Sequence, residues 1–430
     1  MHNPPASDDK KNSPAKVLFA SLIGTTIEFF DFYIYATAAV LVFPKLFFPS
    51  SDPTAATLQS LATFAIAFFA RPLGSALFGH YGDRVGRKAT LVAALLTMGI
   101  STVVIGLLPT YASIGTMAPL LLALCRFGQG LGLGGEWGGA VLLATENAPP
   151  NKRAWYGMFP QLGAPIGFFL SGGIFLVLGA FLTEEQFFSF GWRIPFLSSA
   201  LLVIIGLYIR LKIHETPAFQ KVIDKNEVVK VPVLNVFRDH GLSLLLGTLI
   251  AVATFVLFYL MTVFALSWGT TALAYTRRDF LVLQLFAVLF FALTIPISAI
   301  WADRHGRRAT MIAVSAAIAV FGLSLSHLLV AGSQMQVLVF LSLGLGLMGM
   351  TYGPLGTLLS ELFPAEVRYT GASITFNLAG IIGASMAPYI ATWLATNFGL
   401  HYVGYYLTAA ALLSLVAALL TGNERLKHYR

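Results

Sequence analysis

Twelve apolar runs divide this chain, and each is long enough to cross a membrane as a helix. The hydrocarbon core of a bilayer is about 30 Å thick and takes roughly 20 helical residues. With 57% hydrophobic and 11% charged residues, the chain is not an ordinary soluble domain. We therefore predict an all-α polytopic membrane protein. The runs lie approximately at 17–44, 57–81, 89–109, 117–146, 155–182, 191–212, 241–268, 279–301, 309–331, 336–361, 368–397 and 402–421.

Two short motifs each occur twice, once in each half of the chain. Gly82-Asp83-Arg84-Val85-Gly86-Arg87-Lys88-Ala89-Thr90 recurs as Ala302-Asp303-Arg304-His305-Gly306-Arg307-Arg308-Ala309-Thr310, and Glu146-x-x-Pro149-x-x-x-Arg153 recurs as Glu361-x-x-Pro364-x-x-x-Arg368. Two elements in the same order and at nearly the same offset indicate a diverged duplication. We expect twelve transmembrane helices in two pseudo-symmetric six-helix bundles. Each copy of the first motif is expected to form a tight turn between two helices at a polar surface.

The basic residues predict the orientation in the membrane. They concentrate in alternate loops, in the linker between the halves and in both terminal tails, whereas the opposite face has only Lys45, Arg277 and Arg278 in its loops. Cytoplasmic loops are the ones enriched in lysine and arginine. Both termini and the linker are therefore expected to be cytoplasmic. The net charge of +8 follows this loop pattern and does not indicate a nucleic-acid partner.

The expected domain boundaries follow the apolar runs and the charged linker. The linker contains Pro217 and Pro232 and is expected to form at most a short amphipathic surface helix. The N-terminus has no cleavable signal pattern, so the first span is expected to act as its own signal. We predict a cytoplasmic tail at 1–16, an N-terminal bundle at 17–212, a cytoplasmic linker at 213–240, a C-terminal bundle at 241–421 and a short cytoplasmic tail at 422–430.

Charged residues inside the spans lie almost entirely in the first half: Glu28, Asp31, Arg71, Arg126 and Glu136. A charge inside the bilayer costs roughly 2.5 kcal/mol or more, so each is a candidate functional residue. Three acids against two bases leave one carboxylate without a cation, and such a desolvated carboxylate is expected to bind a proton. We predict a proton-coupling site at Glu28, Asp31, Arg126 and Glu136, in which a protonated acid releases its arginine to a substrate anion. The alternative is that these residues form static buried pairs.

A predicted substrate site combines these arginines with polar and aromatic side chains. At 100° per residue, Glu28 and Asp31 share a helix face with Tyr35. Tyrosine and tryptophan near the midplane can stack on a ligand or hydrogen-bond to it, although packing is the alternative for each of them. Arg126, Gln129 and Trp137 are likewise predicted to share a face. The full set is Arg71, Arg126, Gln129, Tyr35, Trp137, Tyr259, Tyr352 and Asn377.

Several longer motifs occur at fixed places relative to the spans. They are Glu28-Phe29-Phe30-Asp31-Phe32-Tyr33, Gly79-His80-Tyr81-Gly82-Asp83-Arg84-Val85-Gly86-Arg87-Lys88, Arg126-x-x-Gln129-Gly130, Gly134-Gly135-Glu136-Trp137-Gly138-Gly139, Gly191-Trp192-Arg193-Ile194-Pro195-Phe196 and Glu361-Leu362-Phe363-Pro364-x-x-x-Arg368. In these motifs the chain resembles the major facilitator superfamily, and more narrowly its metabolite:proton symporter family of bacterial inner-membrane carriers.

The resemblance implies a proton-coupled importer that works by alternating access between two bundles. Its implied substrate is a small carboxylate-bearing metabolite, as in carriers of shikimate, α-ketoglutarate and citrate. The alternatives are a zwitterionic osmolyte or amino acid, as in carriers of proline and betaine, and a non-transporting nutrient receptor. The resemblance also implies a cytoplasmic gate formed by Gly82, Asp83, Arg84, Gly86, Arg87, Asp303, Arg304, Arg307, Glu146, Glu361 and Arg368.

The remaining expectations concern chemistry and partners. The sequence has no nucleophile–base set and no metal-ligand cluster, so an enzyme is not expected. The expected partners are the lipid bilayer and a small-molecule substrate, and the proton is the expected coupling ion without any further cofactor. We expect a monomer in the inner membrane of a bacterium.

Overall fold

The computed structural model describes residues 14–85, 87–146, 148–149, 151–212, 232–364 and 367–422, and these residues form helices without any strand. The first half contains α1 (Pro14–Leu41), α2 (Pro53–Val85), α3 (Arg87–Leu107), α4 (Met117–Leu133, continued as Trp137–Glu146), α5 (Arg153–Phe181) and α6 (Arg193–Lys212). The second half contains α7 (Gly241–Tyr259, continued as Leu260–Phe264 and Ala265–Thr271), α8 (Arg277–His305), α9 (Arg307–Leu328), α10 (Gln334–Glu361), α11 (Arg368–Gly380, continued as Ile381–Ser385 and Ala387–Asn397) and α12 (Leu400–Leu420). The short helices Phe43–Leu46, Tyr111–Ile114, Glu184–Gln186 and Pro232–Asp239 lie between them, with a π-turn at Phe187–Gly191.

The lengths and apolar surfaces of these helices confirm the twelve-helix prediction. Ten of the described helices are long and apolar enough to cross a membrane. An eleventh span consists of α6 with the segment Glu184–Gly191 before it, and the two are bent by 43°. The twelfth is α3, which is apolar over Val92–Leu107.

The predicted boundaries differ from the structure at a few places. Helix α1 begins at Pro14, inside the predicted tail, and Pro232–Asp239 is a short helix at the end of the predicted linker. The tails at 1–13 and 423–430 and the linker at 213–231 lie outside the described residues. The span predicted at 117–146 is a single candidate span over Met117–Leu142, although the short turn Gly134–Glu136 divides α4 into two helical parts.

The second copy of the repeated motif forms the turn between α8 and α9. Gly306 has φ of +96°, and α9 begins at the next residue, Arg307. A side chain at this φ would be strained, so glycine is the residue that allows the helices to reverse so sharply. This is the tight turn predicted from the repeat. Its counterpart Gly86 lies outside the described residues.

Helices α2 and α4 touch backbone to backbone, which fixes the position of Arg71. A Cβ atom on Gly134 would overlap the carbonyl oxygen of Arg71, and one on Gly130 would overlap that of Ala67. The hydroxyl of Ser75 also donates a hydrogen bond to the carbonyl of Gly134. Small residues permit such close helix approach in membranes. The glycine-rich break of α4 therefore holds α2 against the charged residues of the first half.

Replacing Gly134 by alanine should destabilise this contact. The added methyl group must push the two backbones apart, and overpacking of this kind costs about 1–3 kcal/mol. The matched control is Gly173→Ala on α5, where a Cβ would meet no atom within 4 Å. Thermal unfolding of the detergent-solubilised protein should show a lower melting temperature for Gly134→Ala only. Equal melting temperatures of the two variants would contradict this account.

Candidate functional site

All five predicted intramembrane charges are buried in the first half. Glu28, Asp31, Arg71, Arg126 and Glu136 each expose at most 4% of their surface. They come from α1, α2, α4 and the break within α4. Burial to this extent removes the hydration of a charged group, so each charge must be compensated by neighbouring protein groups or by a proton. The partners of each residue therefore determine which charges are available to a ligand.

Glu28 and Arg71 form a buried ion pair that joins α1 to α2. The Glu28 Oε1 and Arg71 Nη2 atoms are 3.4 Å apart. The guanidinium group of Arg71 also lies 5.2 Å from the ring centre of Phe32 and 5.8 Å from that of Phe68. An arginine over an aromatic face gains cation–π attraction. The positive charge of Arg71 is thus matched within the first half.

Asp31 is bound by hydroxyl groups and not by a cation. Its Oδ2 atom accepts a hydrogen bond of 2.7 Å from Ser199 on α6, and the hydroxyl of Thr102 on α3 lies nearby. Its Oδ1 atom has no hydrogen-bond partner, and Glu136 adds a second negative charge close by. No lysine or arginine whose side chain is described forms an ion pair with Asp31. A negative charge on Asp31 is therefore balanced by no cation among the described side chains.

Arg126 is enclosed by aromatic rings and has no carboxylate partner among the described side chains. Its guanidinium carbon lies 4.1 Å from the ring centre of Tyr35, 4.4 Å from that of Phe32 and 4.9 Å from that of Phe64. The Nε atom donates to the carbonyl of Phe64 and the Nη1 atom to Gln129. The Nη2 atom donates to no described group. The guanidinium group of Arg126 therefore keeps one donor atom without a described partner.

A chain of polar groups joins Arg126 to the surroundings of Asp31. Arg126 Nη1 donates to Gln129 Oε1 over 3.0 Å, and Gln129 Nε2 donates to Thr102 Oγ1 over 2.9 Å. Thr102 in turn lies beside Asp31. Sequence reasoning missed Thr102 and Ser199, because a hydroxyl residue inside a membrane helix most often bonds only to its own backbone. The structure thus brings together Asp31, Arg126 and Gln129, which belong to the predicted proton-coupling and substrate sites.

Tyr259 brings the second half of the protein to the two arginines. Its ring centre lies 5.4 Å from Phe68, 5.6 Å from Phe64 and 6.3 Å from Phe32. All three of these rings flank Arg71 or Arg126. An aromatic shell from both halves therefore encloses the charged residues, and Tyr259 is the predicted second-half residue that belongs to it.

The other predicted binding residues connect the two halves directly. Trp137 stacks on Phe376 with ring centres 3.7 Å apart, and its Nε1 atom donates to Gln161. Gln161 donates to the carbonyl of Tyr352 over 3.0 Å. Trp137 follows the turn at Gly134–Glu136, and it contacts Gln161 and Phe376. That it shares a helix face with Arg126 stays a prediction.

Asn377 makes a further contact between the halves. Its Nδ2 atom donates to Ser75 Oγ over 2.8 Å and to the carbonyl of Gly134 over 3.3 Å. Tyr369, which precedes Asn377 on α11, donates to the carbonyl of Gly135 over 2.6 Å. The break in α4 is therefore where α11 attaches to the first half. A substrate role for Trp137, Tyr352 or Asn377 stays a prediction.

The second copy of the repeated motif holds the two halves together at one end. Asp303 accepts hydrogen bonds of 3.0 Å from the backbone N–H groups of both Ala154 and Trp155 at the start of α5. Arg307 lies 3.2 Å from Asp303 and 3.5 Å from Glu361. A carboxylate at a helix N-terminus is favoured by the unpaired N–H groups and by the helix dipole. Asp303 is thus the acceptor that joins α8 to α5.

The rest of the predicted gate is only partly described. Arg304 is exposed, and Arg368 Nε donates to the carbonyl of Phe363 over 3.2 Å. Gly86 and the side chains of Asp83, Arg84, Arg87 and Glu146 lie outside the described part of the chain, as does the surrounding of Gly82. A gate role for the first copy of the motif stays a prediction.

Replacing Asp303 by asparagine should loosen this end of the protein. The substitution removes the charge that holds two N–H groups, and charge-assisted hydrogen bonds contribute about 1.5–3 kcal/mol. A cysteine introduced by Thr357→Cys, in a Cys125→Ser background, reports the opening, because Thr357 is buried and donates to the carbonyl of Arg153. Maleimide labelling of this cysteine should become at least about fivefold faster with Asp303→Asn.

The control for this experiment is Asp239→Asn. Asp239 is exposed and its only described ion pair is a 3.9 Å contact with the neighbouring Arg238. This substitution removes one carboxylate without touching the contact between the halves, so the labelling rate should not change. If Asp303→Asn and Asp239→Asn label at the same rate, Asp303 does not hold this end closed.

Comparisons with known proteins agree with this architecture. A family model described as Sugar (and other) transporter matches residues 16–230, and one described as Major Facilitator Superfamily matches residues 280–429. The crystal structure of a D-xylose-proton symporter superimposes with a TM-score of 0.73 at 17% identity, over 96% of this chain and 99% of that one. At this identity the likeness establishes the fold alone.

Relatives in sequence are membrane transport proteins. The inner membrane metabolite transport protein YhjE of Escherichia coli is 62% identical over 96% of this chain and 95% of its own length. A shikimate transporter of Escherichia coli is 36% identical, with 95% of each chain covered. A proline/betaine transporter of Salmonella typhimurium is 35% identical, over 96% of this chain and 85% of its own length. The predicted transporter in the bacterial inner membrane is thereby confirmed, and so is the prediction that the chain is not an enzyme.

Proposed function

The chain belongs to the major facilitator superfamily and, within it, to the metabolite:proton symporter family, and on this premise we propose that it imports a small carboxylate-bearing metabolite together with protons. The observation that carries the proposal is the unequal pairing of the buried charges. Asp31 has only hydroxyl partners and Arg126 has no carboxylate partner among the described side chains, although one polar chain through Gln129 and Thr102 connects their surroundings.

The proposed coupling follows from the charge balance of this chain. When Asp31 holds a proton, it is neutral and leaves the charge of Arg126 available to the carboxylate of the substrate. When Asp31 loses the proton, its negative charge competes for Arg126 through Thr102 and Gln129, which lowers the affinity for the substrate. Because such coupling is reciprocal, a bound carboxylate also favours the protonated Asp31. Proton and substrate then bind together and leave together.

The aromatic shell supports a substrate that is small and only partly polar. Phe32, Phe64 and Tyr259 present ring faces and edges beside the free Nη2 atom of Arg126. Ligand sites are commonly apolar surfaces with a few polar groups that fix the orientation. A ring or short carbon skeleton with one carboxylate fits this surface, and shikimate, which a relative transports, has this chemistry.

A zwitterionic substrate is the second candidate. The same aromatic rings that face Arg126 can hold a quaternary ammonium group by cation–π attraction. A proline/betaine transporter is among the relatives, so the family contains carriers of this class. Thermal-shift measurements on the purified protein with shikimate, α-ketoglutarate, citrate, proline and glycine betaine separate the two candidates, because the bound class should raise the melting temperature.

The transport cycle proposed here is rocking of the two bundles, 17–212 against 241–421, about the aromatic shell. The contacts of Asp303 with Ala154 and Trp155 lie at the end that the positive-inside rule assigns to the cytoplasm. These contacts must break for the inward-open state and form again for the outward-open state. We also propose that both termini lie in the cytoplasm and that the carrier is a monomer.

Neutralising Asp31 should uncouple transport from the proton gradient. Asp31→Asn mimics the protonated state permanently, so proteoliposomes should lose substrate accumulation driven by an imposed pH gradient but keep substrate exchange. Glu28→Gln should also lose accumulation, because it removes the ion-pair partner of Arg71. The matched control is Glu185→Gln, an exposed acid outside the bundle core. Normal accumulation by both Asp31→Asn and Glu28→Gln would refute the coupling.

Changing Arg126 should weaken binding of a carboxylate. Arg126→Lys keeps one charge but loses the planar group that bonds Phe64 and Gln129 and offers the free Nη2 atom. We expect about a tenfold loss of affinity by calorimetry, since charge-assisted hydrogen bonds contribute about 1.5–3 kcal/mol. The control is Arg193→Lys, because Arg193 bonds the carbonyls of Gly106 and Leu108 away from the site. Unchanged affinity in Arg126→Lys would place the carboxylate elsewhere.

A further inference from the structure

A cavity opens between the two halves at the end opposite Asp303, and we call it the mouth cavity. Its volume is about 480 Å³. The first half contributes the outer ends of α1 and α5 with Lys45 and Phe188, and the second half contributes Thr271, Tyr275 and Arg277 from the end of α7 and the start of α8. Small-molecule sites typically have volumes of about 300–1,000 Å³. The mouth cavity is therefore large enough for a metabolite.

The mouth cavity collects positive charge. Lys45, Arg277 and Arg278 line it, and they are the three basic residues that the sequence assigns to loops on this face. The only acid in its lining is Glu184, which lies 3.7 Å from Lys45, with both side chains largely exposed. Such a solvated pair is weak. Arg277 and Arg278 have no ion pair within the described residues, so the cavity carries a net positive charge.

Arg277 is held at the boundary between the halves without being neutralised. It belongs to the second half, and its guanidinium carbon lies 4.0 Å from the ring centre of Phe187 and 5.9 Å from that of Phe188 in the first half. A cation–π contact orients the guanidinium group but leaves its charge and its in-plane donors in place. A fixed arginine of this kind can bind an anion at the entrance.

The hydroxyl groups of the mouth cavity are already engaged. Thr270 and Thr271 donate to carbonyls of α7, at Leu266 and Ser267. Tyr275 donates to the carbonyl of Val330 and accepts from the N–H of Ser333. Thr276, which also lines the cavity, accepts a hydrogen bond from the N–H of Asp279. The charged donors left for a ligand are thus the cationic side chains. Selection at this place works by charge and not by a detailed pattern of hydrogen bonds.

We propose that the mouth cavity is an entry site, where Arg277 and Arg278 hold the carboxylate of a substrate before it reaches Arg126. The proposal rests on the proposed function in so far as the substrate is anionic. A cleft lined by one sign of charge raises the local concentration of the opposite ion and speeds association, typically by about 10- to 1,000-fold. The entry site therefore increases transport at low substrate concentration, while the central site at Arg126 determines which substrate is transported.

The electrostatic part of the proposal can be tested without a substrate. A cysteine is introduced by Thr271→Cys in a Cys125→Ser background, and its reaction with an anionic and a cationic methanethiosulfonate reagent is timed. We expect the anionic reagent to be favoured, and Arg277→Gln with Arg278→Gln to reduce this preference about tenfold at low salt. At 1 M salt, where the Debye length is about 3 Å, the difference should largely vanish.

The control for the reagent test is Arg238→Gln. Arg238 is exposed in the helix Pro232–Asp239 and does not line the mouth cavity. Arg238→Gln therefore lowers the net charge of the protein by one and should leave the preference for the anionic reagent unchanged. An unchanged reagent preference in the variant with Arg277→Gln and Arg278→Gln would overturn the entry site. A preference that fell equally with Arg238→Gln would also overturn it, because net charge alone would then be responsible.

Uptake kinetics test whether the entry site serves transport. Initial uptake of radiolabelled shikimate, α-ketoglutarate or citrate into proteoliposomes should show a KM about three- to tenfold higher for the variant with Arg277→Gln and Arg278→Gln at low salt, with the maximal rate unchanged. A reduced maximal rate at unchanged KM would overturn the proposal, because the arginines would then serve the conformational change. Failure of the unmodified protein to transport any carboxylate refutes the proposed function, while the reagent test still decides the charge of the cavity.

Discussion

Five ionisable side chains without access to water are the constraint on which the first half of this protein is built. A bilayer supplies no counter-ions, so every buried charge must find a partner in the protein or be removed by a proton. Glu28 and Arg71 satisfy one another across α1 and α2. Arg126 contacts aromatic faces, a carbonyl and an amide, and Asp31 contacts hydroxyl groups, but each keeps one atom without a described partner. The backbone contact of α2 with α4 at Gly134 holds Arg71 and the helix that carries Arg126 at the distances that these contacts require.

The attachment between the halves has a different character from the charged interior. Besides the aromatic contacts of Tyr259 and Trp137, it contains directional hydrogen bonds, such as those that Asp303 accepts from α5 and that Asn377 donates to the broken region of α4. Bonds of this kind can be exchanged for water when the halves separate, whereas a large apolar interface could not be opened at low cost. A carrier that must open repeatedly is well served by an interface held by such exchangeable contacts.

The sequence predicts the fold and the charged residues well, because both follow from simple physical costs. Long apolar runs and the repeat determine the twelve helices, and the cost of an intramembrane charge marks Glu28, Asp31, Arg71, Arg126 and Glu136. Partners are harder to predict because they depend on how helices are rotated and placed. Nothing in the sequence distinguishes Thr102 or Ser199 from any other hydroxyl residue in a span. Helical periodicity likewise does not predict that Trp137 contacts Gln161 and Phe376, because these partners lie on other helices.

The π-turn at Leu260–Phe264 divides α7 into an inner segment, Gly241–Tyr259, and an outer segment, Ala265–Thr271. Tyr259 precedes the turn and faces the aromatic shell, whereas Thr270 and Thr271 follow it and line the mouth cavity. A π-turn contains one residue more than an α-helical turn, and such turns occur frequently at functional sites. Moving this extra residue along the helix would change the facing of the residues that it passes by roughly one residue step of 100°, while the helix on either side keeps its facing. Helix α7 can therefore re-aim side chains between the mouth cavity and the aromatic shell without unwinding.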